Sequence, residues 1–246
     1  MYHSLGASRD RYSVTPGRFA RQMAVLAGSR RPILSLRDAC SAPRSSSTPV
    51  VVTFDDGFAD NYEAALPILR QYGLPATVFL VTDAMAGQAA WHEQATLPLL
   101  DWTQAREMAE AGMELGSHSA THLDLRRASL NEIRAELARS KAEIEDRTGQ
   151  EVTSFAYPYG YYRPEMPDLL RQAGYCCAVL AGTYGRNAPG HDPYRLRRVP
   201  IWHADSLLHF RAKVAGWYGW KYHFLKADRE ARWFAQRVWG STARGD

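Results

Sequence analysis

Hydrophobic and polar positions along this chain fall into short segments that alternate between strand-like and helix-like patterns. Runs rich in β-branched and apolar residues predict strands at 50–54, 76–81, 113–117, 153–157, 176–180 and 196–201. Apolar residues at helical spacing predict the helices that flank them, at 16–26, 60–72, 102–110, 130–149, 164–173 and 205–214. Strands and helices that alternate in this way are typical of βα units, which build parallel sheets.

Local signals mark the ends of several of these helices. Thr15-Pro16 is a common helix start, because a proline in the first turn costs no hydrogen bond. Ser129-Leu130-Asn131-Glu132 matches a capping box, in which the serine and the glutamate satisfy free amides at the start of the long helix. Pro67 either kinks the helix at 60–72 or begins its regular part.

The first candidate site follows the strand at 50–54, whose uninterrupted β-branched run indicates burial on both faces, as in parallel sheets. Asp55-Asp56-Gly57 then lies at its carboxyl end, where ligands and catalytic groups collect in α/β folds. Adjacent carboxylates repel each other unless a cation or a proton separates them. An acidic turn, in which Gly57 supplies the bend, explains this pair equally well when the pair is taken alone.

The second candidate site follows the strand at 113–117, where His118 and His122 are four residues apart. If this segment is a helical turn, both imidazoles face the same side and suit a shared ion. Taken alone, two partly exposed histidines at the start of a helix are the commoner arrangement. Together with two aspartates at another strand end, they predict a metal site. Two imidazoles and one carboxylate leave open positions for water and substrate, which is the catalytic pattern of zinc.

Three motifs together resemble those of one family. Thr53-Phe54-Asp55-Asp56-Gly57 and His118-Ser119-Ala120-Thr121-His122 are similar to the first two motifs of the polysaccharide deacetylases, also called NodB-homology or carbohydrate esterase family 4 enzymes. Phe155-Ala156-Tyr157-Pro158-Tyr159-Gly160 is similar to the third motif. The resemblance extends from about residue 12 to about residue 205. It implies an α/β fold, namely a distorted (β/α) barrel with fewer than eight strands.

The resemblance also implies a role for each motif residue. Asp55 resembles the catalytic base, and the backbone N–H of Tyr159 resembles the donor that stabilises the oxyanion. The remaining motif residues are metal ligands (Asp56, His118 and His122) or substrate-binding residues (Tyr157 and Pro158). General chemistry agrees, because a divalent ion acidifies water, a free carboxylate takes the proton, and a fixed N–H stabilises a tetrahedral oxyanion.

The sequence departs from the family pattern in the third motif. The family's usual arginine, which orients the base, is missing from 155–160. Arg198, or its neighbour Arg197, is a candidate to replace it from the strand at 196–201. Solvated basic residues without a role explain these two arginines equally well.

The histidine that gives a proton to the leaving amine has two candidates. Leu207-Leu208-His209 matches the Leu-x-His pattern of the family's fifth motif, but it falls on the helix predicted at 205–214. His3 is preferred, because Tyr2-His3 is similar to the Tyr-His pair of a circularly permuted subgroup, in which that histidine takes this role. The alternative is a disordered start with an idle histidine. Few residues precede His3, so either the first strand is stunted or the start is assigned late.

A long loop between the strand at 76–81 and the helix at 102–110 carries Trp91-His92-Glu93. Long loops at an active rim often shape substrate pockets. Trp91 is therefore a candidate substrate-binding residue, whereas His92 is interpreted as a rim residue without a chemical role.

The composition is that of one globular catalytic domain, which we predict at 1–210. The chain has 246 residues, of which 46% are hydrophobic and 23% are charged. Its three cysteines, Cys40, Cys176 and Cys177, are odd in number and two are adjacent, so no disulfide framework is indicated. This favours a reducing, cytoplasmic location. No signal-type or membrane-spanning apolar run is visible, although a late-assigned start could hide a signal segment.

Residues 211–246 differ in composition and are predicted to form a basic, aromatic, helical extension. This segment has eight Lys or Arg and three Asp or Glu residues, a net charge of +5, while the whole chain has +4. Four of the seven tryptophans also lie here: Trp217, Trp220, Trp233 and Trp239. Such a segment suits packing on the barrel, a membrane surface with a lipid-linked substrate, or an oligomer contact. Nucleic acid is not expected, because no recognised binding motif accompanies the charge.

The sequence thus predicts a metal-dependent hydrolase that removes N-linked acetyl groups from an N-acetylated amino sugar in a polysaccharide, an oligosaccharide or a lipid-linked glycan. Zinc is the expected ion for nitrogen and oxygen ligands, and cobalt, nickel or manganese also fit. Two alternatives stay open. One is an allantoinase-like hydrolase of a non-sugar C–N bond. The other is a glycan-binding pseudoenzyme, which the missing third-motif arginine would explain.

Overall fold

The computed structural model describes residues 1–6, 11–42, 48–91, 97–183, 185–188 and 190–217. In this part of the chain the strands are β1 (Ile33–Leu34), β2 (Val50–Val51), β3 (Thr53–Phe54), β4 (Thr77–Leu80), β5 (Glu114–Ser117), β6 (Ser154–Ala156) and β7 (Cys177–Val179). The α-helices are α1 (Pro16–Ala27), α2 (Leu36–Ser41), α3 (Leu66–Tyr72), α4 (Trp102–Glu110), α5 (Leu130–Thr148), α6 (Met166–Gln172) and α7 (Leu207–Ala215). Their order is that of repeated βα units, as the sequence pattern predicts.

Strands β3 to β7 form one parallel sheet, in which each strand pairs with the next along the chain. β4 and β5 lie in the interior of this sheet, and all their residues are buried. A parallel strand covered on both faces has no solvent side, which explains the continuous apolar run of β4. β1 and β2 pair separately as a two-stranded parallel sheet.

The two edges of the five-stranded sheet are connected by chain segments outside it. Leu196 forms a parallel bridge with β7, and Tyr2 forms one with β3. Met1 joins these two segments, because its amine donates to the Val199 carbonyl at 3.1 Å and its carbonyl accepts from the Ile201 amide at 3.0 Å. The sheet therefore curls into a distorted barrel with fewer than eight strands, which confirms the predicted fold class.

The run at 50–54 forms two short strands, where the sequence pattern predicts one buried strand, and Val50 and Val51 are only partly buried. Val50 and Val51 pair with β1, whereas Thr53 and Phe54 pair with β4. The chain changes its pairing partner at Val52, so one ladder ends there and another begins.

The last predicted strand is reduced to the bridge at Leu196. The amides of Arg197 and Arg198 donate to the side chains of Asn187 and Thr183, at 2.8 and 3.3 Å, rather than to a neighbouring strand. Because these amides bond to side chains, they do not pair with a neighbouring strand and the strand ends.

Most helix boundaries agree with the signals in the sequence. α5 begins with the predicted capping box, in which Ser129 and Glu132 each accept from the other's backbone amide. Pro67 lies in the first turn of α3, after the π-helical turn Asn61–Ala65, so it begins the regular helix. The sequence pattern does not predict α2, which Ser35 caps through its side-chain oxygen.

The main core lies between the sheet and the helices around it. Tyr2, Phe19 and Phe54 meet there, with ring centroids 5.1 to 5.7 Å apart. Tyr2 is therefore held twice, by its backbone pairing with β3 and by its buried ring. Because Tyr2 is fixed, the position of the next residue, His3, at the carboxyl end of the barrel is fixed as well.

Parts of the predicted extension and rim loop fall outside the described residues. These parts are 218–246 and His92, so the predictions for them stay predictions. The same holds for the boundary between a 1–210 domain and a 211–246 extension. Within the described residues, no helix is long and apolar enough to cross a bilayer. The described thiols of Cys40, Cys176 and Cys177 are free.

Glu114 on β5 is a buried carboxyl group that joins three elements. It accepts hydrogen bonds from the Arg37 amide at the start of α2, from Thr77 Oγ1 on β4, and from Ser154 Oγ on β6, at 2.9, 2.7 and 2.6 Å. A buried acceptor with three donors connects the start of α2 to the sheet.

We expect Glu114→Ala to lower the free energy of unfolding by about 2–4 kcal/mol, because it leaves buried donors without an acceptor. Glu114→Gln keeps one acceptor oxygen and should cost less. Urea unfolding followed by circular dichroism measures both variants. If Glu114→Ala is as stable as the wild type, Glu114 does not connect these elements in the way described.

Candidate active site

The side chains of the candidate active site come from the carboxyl ends of neighbouring strands. Asp55 and Asp56 follow β3, His118 follows β5, and Tyr159 follows β6. Parallel strands end at the same edge of a sheet, so residues distant in sequence meet there. Arg198 joins them from the segment that continues the sheet beyond β7.

Asp56, His118 and His122 form a buried cluster of metal-ligating atoms. Asp56 Oδ1 lies 3.4 Å from His122 Nε2 and 3.6 Å from His118 Nε2. The three donor atoms all lie within 4.8 Å of one another. A tetrahedral zinc ion with bonds of about 2.0–2.1 Å separates its donors by about 3.4 Å. The spacing of the cluster therefore suits one divalent ion.

The hydrogen bonds of the cluster also favour a cation. His118 Nδ1 lies 2.8 Å from the Ala156 carbonyl oxygen, so this nitrogen carries the proton and donates. The Nε2 atom of neutral His118 then has a lone pair, which faces Asp56 Oδ1. Two acceptors that face each other are stabilised by a cation between them. Burial lowers the pKa of His118 and His122, so protonated imidazoles do not supply that charge.

Asp56 carries the charge that this cation would balance. Burial, followed by the negative charge of Asp55, raises the pKa of Asp56 to about 7. Without a positive charge beside it, Asp56 is therefore partly protonated at neutral pH. The residues of the cluster fit the divalent ion that the sequence motifs predict.

Four residues of the site have a left-handed backbone: Asp56, Ser119, His122 and Tyr159, with φ between 56° and 71°. This conformation is costly for residues with a side chain and is found where the surrounding structure enforces it. The segment from His118 to His122 is not helical, so the two imidazoles do not meet by way of a helical turn. Two left-handed residues bend this loop instead, and the bend brings the two imidazoles together.

Glu136 on α5 holds the histidine loop and is absent from the predicted site. Its Oε2 accepts from the amides of Ala120 and Thr121, both at 2.9 Å. The signal in the sequence is a glutamate on the buried face of α5, beside Leu137 and one turn from Ile133. A charged residue on a buried face needs partners, and the loop amides are those partners.

Asp55 forms a buried ion pair with Arg198. The Nη1 and Nη2 atoms of Arg198 lie 2.6 and 2.8 Å from the two oxygens of Asp55, and the residues are 7% and 2% exposed. Arg198 also donates to the Leu180 carbonyl at 2.9 Å and to Thr53 Oγ1 at 3.1 Å. Burial raises the pKa of Asp55, but the charge of Arg198 outweighs this and holds the pKa well below its usual range. Arg198, rather than Arg197, is thus the arginine beside Asp55.

Tyr159 presents its backbone to the site and much of its side chain to solvent. It lies in the 3₁₀ turn Pro158–Gly160, and among the described residues its N–H has no backbone acceptor outside this turn. Its ring meets the His122 ring edge-on, with centroids 4.4 Å apart. The oxyanion role of this N–H stays a prediction, and the position of Tyr159 beside the metal-ligating cluster is compatible with it.

Tyr157 and Pro158 are buried, which corrects their predicted contact with substrate. The Tyr157 side chain has no exposed surface, and its hydroxyl donates to the Tyr194 carbonyl at 2.7 Å. Pro158 is buried as well. A side chain without accessible surface cannot contact a ligand. Tyr157 therefore stabilises the motif through its buried hydrogen bond to Tyr194. Of this motif, Tyr159 has the most exposed side chain.

His3 lies beside Asp55, because Tyr2 pairs with β3 in parallel and the following residues are therefore neighbours. Its ring packs against Tyr12, with centroids 4.7 Å apart. Burial lowers the pKa of His3 to about 3, although the charge of Asp55 opposes this change. His3 is therefore neutral near pH 7 and must take up a proton before it can donate one. His209, the other candidate, is exposed on α7.

Trp91 contacts the metal-ligating cluster directly. Its indole N–H donates to Asp56 Oδ1 at 3.0 Å. Its ring is nearly parallel to that of His122, at an angle of 8° and a centroid distance of 4.5 Å. Trp91, predicted as a substrate contact in the rim loop, therefore lies in the wall of the site itself.

Comparison with known proteins identifies the family. The sequence profile of the polysaccharide deacetylases matches residues 43–178. The chain belongs to the polysaccharide deacetylase family. The match includes the three motifs with Asp55, Asp56, His118, His122 and Tyr159. It confirms the resemblance that these motifs carry and the predicted assignment to the hydrolases.

Two relatives of this polysaccharide deacetylase match over most of its length. YxkH of Bacillus subtilis (strain 168), which carries the family's name, is 30% identical over 205 residues, or 82% of this chain and 70% of that protein. The poly-β-1,6-N-acetyl-D-glucosamine N-deacetylase of Staphylococcus aureus (strain N315) is 27% identical over 175 residues, or 66% of this chain and 59% of that protein. The matched region thus spans less than two thirds of the second relative.

Solved structures share the same barrel. The deacetylase PplD of Streptococcus pyogenes, in complex with acetate, superposes with a TM-score of 0.75 at 24% identity, over 87% of this chain and 95% of that chain. IcaB of Ammonifex degensii superposes with a TM-score of 0.73 at 24% identity, over 89% of this chain and 94% of that chain. At this identity the superpositions establish the fold, and they confirm the NodB-like barrel.

We expect the affinity of the metal-free protein for Zn²⁺ to fall as the pH drops below 7. Because the pKa of Asp56 is raised to about 7, a proton occupies its carboxyl group below this pH and must leave when the ion binds. One displaced proton weakens binding about tenfold per pH unit. Isothermal titration calorimetry over a pH series measures this slope.

Asp55→Asn provides the matched comparison. It removes the negative charge beside Asp56, so the pH at which binding weakens should move downward. An affinity for Zn²⁺ that is the same at about pH 5 and about pH 7 would contradict the role of Asp56 as a ligand.

Proposed function

We propose that this protein is a metal-dependent N-deacetylase that removes acetyl groups from an N-acetylated amino-sugar polymer. The observation that carries the proposal is the unlike surroundings of two adjacent carboxylates. Asp56 faces two neutral imidazoles, whereas Asp55 is held ionised by Arg198. The first arrangement suits a divalent ion and the second suits a base. The names of related proteins support an acetylated glycan as the substrate.

Asp56, His118 and His122 would hold one divalent ion, for which we propose zinc, with cobalt, nickel or manganese as alternatives. When bound, such an ion polarises an acetyl carbonyl and acidifies a coordinated water. Three protein donors leave coordination positions open, which is the pattern of catalytic rather than structural sites.

Asp55 takes the proton of the attacking water. Arg198 keeps Asp55 ionised and binds both of its oxygens, so the carboxylate is ready and fixed in orientation. A carboxylate with a lowered pKa is a weak base, so the water that it deprotonates must itself be acidified. An ion held by Asp56, His118 and His122 would supply this acidification.

Tyr159 stabilises the charge that develops on the acetyl oxygen. A tetrahedral intermediate of amide hydrolysis carries an oxyanion, and a fixed backbone N–H is a suitable donor for it. The Tyr157 amide donates to the Val179 carbonyl and Pro158 has no N–H, so the Tyr159 amide is the next donor after β6.

His3 delivers a proton to the leaving amine. At rest its imidazole is neutral, because its pKa is lowered to about 3. The proton that Asp55 takes from water passes to His3 and then to the departing nitrogen. This order explains how a neutral histidine serves as the acid and why it lies beside the base.

The predicted membrane contact and the predicted location in the cell remain proposals. One is a lipid-linked substrate or membrane surface contacted through 211–246, and the other is a cytoplasmic location. Trp217, the only tryptophan of this segment within the described residues, is 72% exposed at the end of α7. An exposed ring next to a basic segment suits the headgroup level of a membrane.

The two alternative functions are less well supported. The pseudoenzyme hypothesis rests on the absence of an arginine from the third motif. Arg198 takes the place of that arginine, because it binds and orients Asp55. Hydrolysis of a non-sugar C–N bond would use the same residues, so the substrate alone distinguishes it. The names of related proteins favour the sugar.

We expect the chelator-stripped protein to release no acetate from N-acetylglucosamine oligomers and to release acetate once Zn²⁺ is restored. Asp55→Asn should stay inactive with Zn²⁺ while still binding the ion, because Arg198 and not the ion holds Asp55. A coupled acetate assay and metal analysis by atomic absorption measure the two properties. A zinc-loaded protein that cleaves a cyclic ureide and no N-acetylated glycan would establish the allantoinase-like alternative instead.

We expect His3→Ala to lower kcat by about 10²–10⁴-fold, the usual contribution of a general acid. His209→Ala is the matched control and should keep wild-type turnover, because His209 lies on the exposed face of α7. Steady-state kinetics on the same oligomers measure both variants. Normal turnover in His3→Ala together with a loss in His209→Ala would assign the acid role to His209.

A further inference from the structure

The two histidines of the metal-ligating cluster are held in different ways. His118 is fixed by the hydrogen bond from its Nδ1 to the Ala156 carbonyl, at 2.8 Å. His122 Nδ1 is buried and, within the described residues, has no hydrogen-bond partner. Metal-ligating histidines usually donate their second ring N–H to a carbonyl or carboxylate, which fixes the ring. His122 lacks this support, so its orientation must be set differently.

Aromatic contacts set the orientation of His122. The Trp91 ring lies nearly parallel to the imidazole at a centroid distance of 4.5 Å, and the Tyr159 ring meets it edge-on at 4.4 Å. A rotation of the imidazole about its bond to Cβ would bring it into contact with the flat face of the indole. Trp91 thus fixes the orientation of the His122 ring, as the Ala156 carbonyl fixes that of the His118 ring.

Trp91 also fixes the carboxylate ligand. Its indole N–H donates at 3.0 Å to Asp56 Oδ1, which is the same oxygen that lies 3.4 and 3.6 Å from the two imidazole nitrogens. A donor on one lone pair of this oxygen selects one orientation of the carboxylate and leaves another lone pair free. One side chain therefore contacts two of the three predicted ligands.

Neighbours outside the cluster hold Trp91 in place. The backbone of its loop is tied to the turn after Asp56, because the Leu100 amide donates to the Gly57 carbonyl at 2.8 Å. The indole packs against a small group of buried apolar residues: Phe58, Ala89 and Leu99. A ligand-orienting residue has to be rigid itself, and these contacts provide the rigidity.

We propose that Trp91 is a positioning residue of the metal site, whose N–H orients Asp56 and whose ring orients His122. The affinity for the ion then depends on Trp91. This inference rests on the proposed metal-dependent function, but it needs no substrate to be tested. It differs from the substrate contact that the sequence predicts for Trp91, because a pure substrate contact leaves ion binding unchanged.

Zn²⁺ binding to the full-length, metal-free protein tests the proposal by competition with a chromophoric chelator. Trp91→Phe keeps a ring but loses the N–H donor, and we expect it to weaken Zn²⁺ binding about 10–100-fold. Trp91→Leu loses both contacts and should bind more weakly still. Trp102→Phe, a partly buried tryptophan on α4 outside the site, is the matched control and should bind Zn²⁺ like the wild type.

Two further readouts make the outcome decisive. The visible absorption bands of the Co²⁺-loaded protein report ligand geometry, and they should change in Trp91→Phe but not in Trp102→Phe. Thermal unfolding of the metal-free variants should match the wild type, which separates a loss of affinity from a loss of folding. Wild-type Zn²⁺ affinity and a wild-type Co²⁺ spectrum in Trp91→Phe would overturn the proposal, and a raised KM would then assign Trp91 to substrate binding. A wild-type protein that binds neither ion would overturn the proposed metal-dependent function as well.

Discussion

The repulsion between two adjacent buried carboxylates is the constraint on which this site depends. Asp55 and Asp56 follow the same strand and are both removed from water, so two unpaired negative charges there would be costly. The two negative charges are balanced in different ways. Arg198 neutralises Asp55 from within the protein, whereas the partners of Asp56 among the described residues are neutral imidazoles and the Trp91 N–H. The negative charge of Asp56 is the one that a bound cation would balance, and the proposed chemistry follows from that division.

Backbone geometry makes the division possible. Asp56 and Gly57 both have a φ of 71°, so the chain turns sharply directly after Asp55. The positive φ of Gly57 strains any residue with a side chain, and a Cβ there would lie 2.9 Å from Leu80 Cδ2, so this position favours glycine. The turn directs Asp55 toward Arg198 and Asp56 toward the histidine loop. A straight continuation of the strand would place the two side chains on opposite faces of the sheet, so the turn lets both carboxylates reach the same site.

Much of this arrangement is predictable from the sequence, because it depends on local patterns. The alternation of strands and helices predicts the parallel sheet, and the family resemblance implies that it closes into a barrel. Motif residues at strand ends predict the cluster that contains Asp56 and His118. What depends on long-range contacts is not predictable in this way. Glu136 reaches the histidine loop only after α5 has packed, and the burial of Tyr157 follows from its bond to Tyr194. The spacing of His118 and His122 suggests a helix, but tertiary contacts enforce left-handed residues instead.

The central claim is that the two aspartates have separate partners, an ion for Asp56 and an arginine for Asp55. Anomalous diffraction at the zinc edge, from crystals of the protein grown with Zn²⁺, tests this most directly. The account predicts one zinc peak bonded to Asp56, His118 and His122, with both hydrogen bonds between Asp55 and Arg198 intact. A zinc ion bonded to Asp55, or an Asp55 carboxylate released from Arg198, would contradict it.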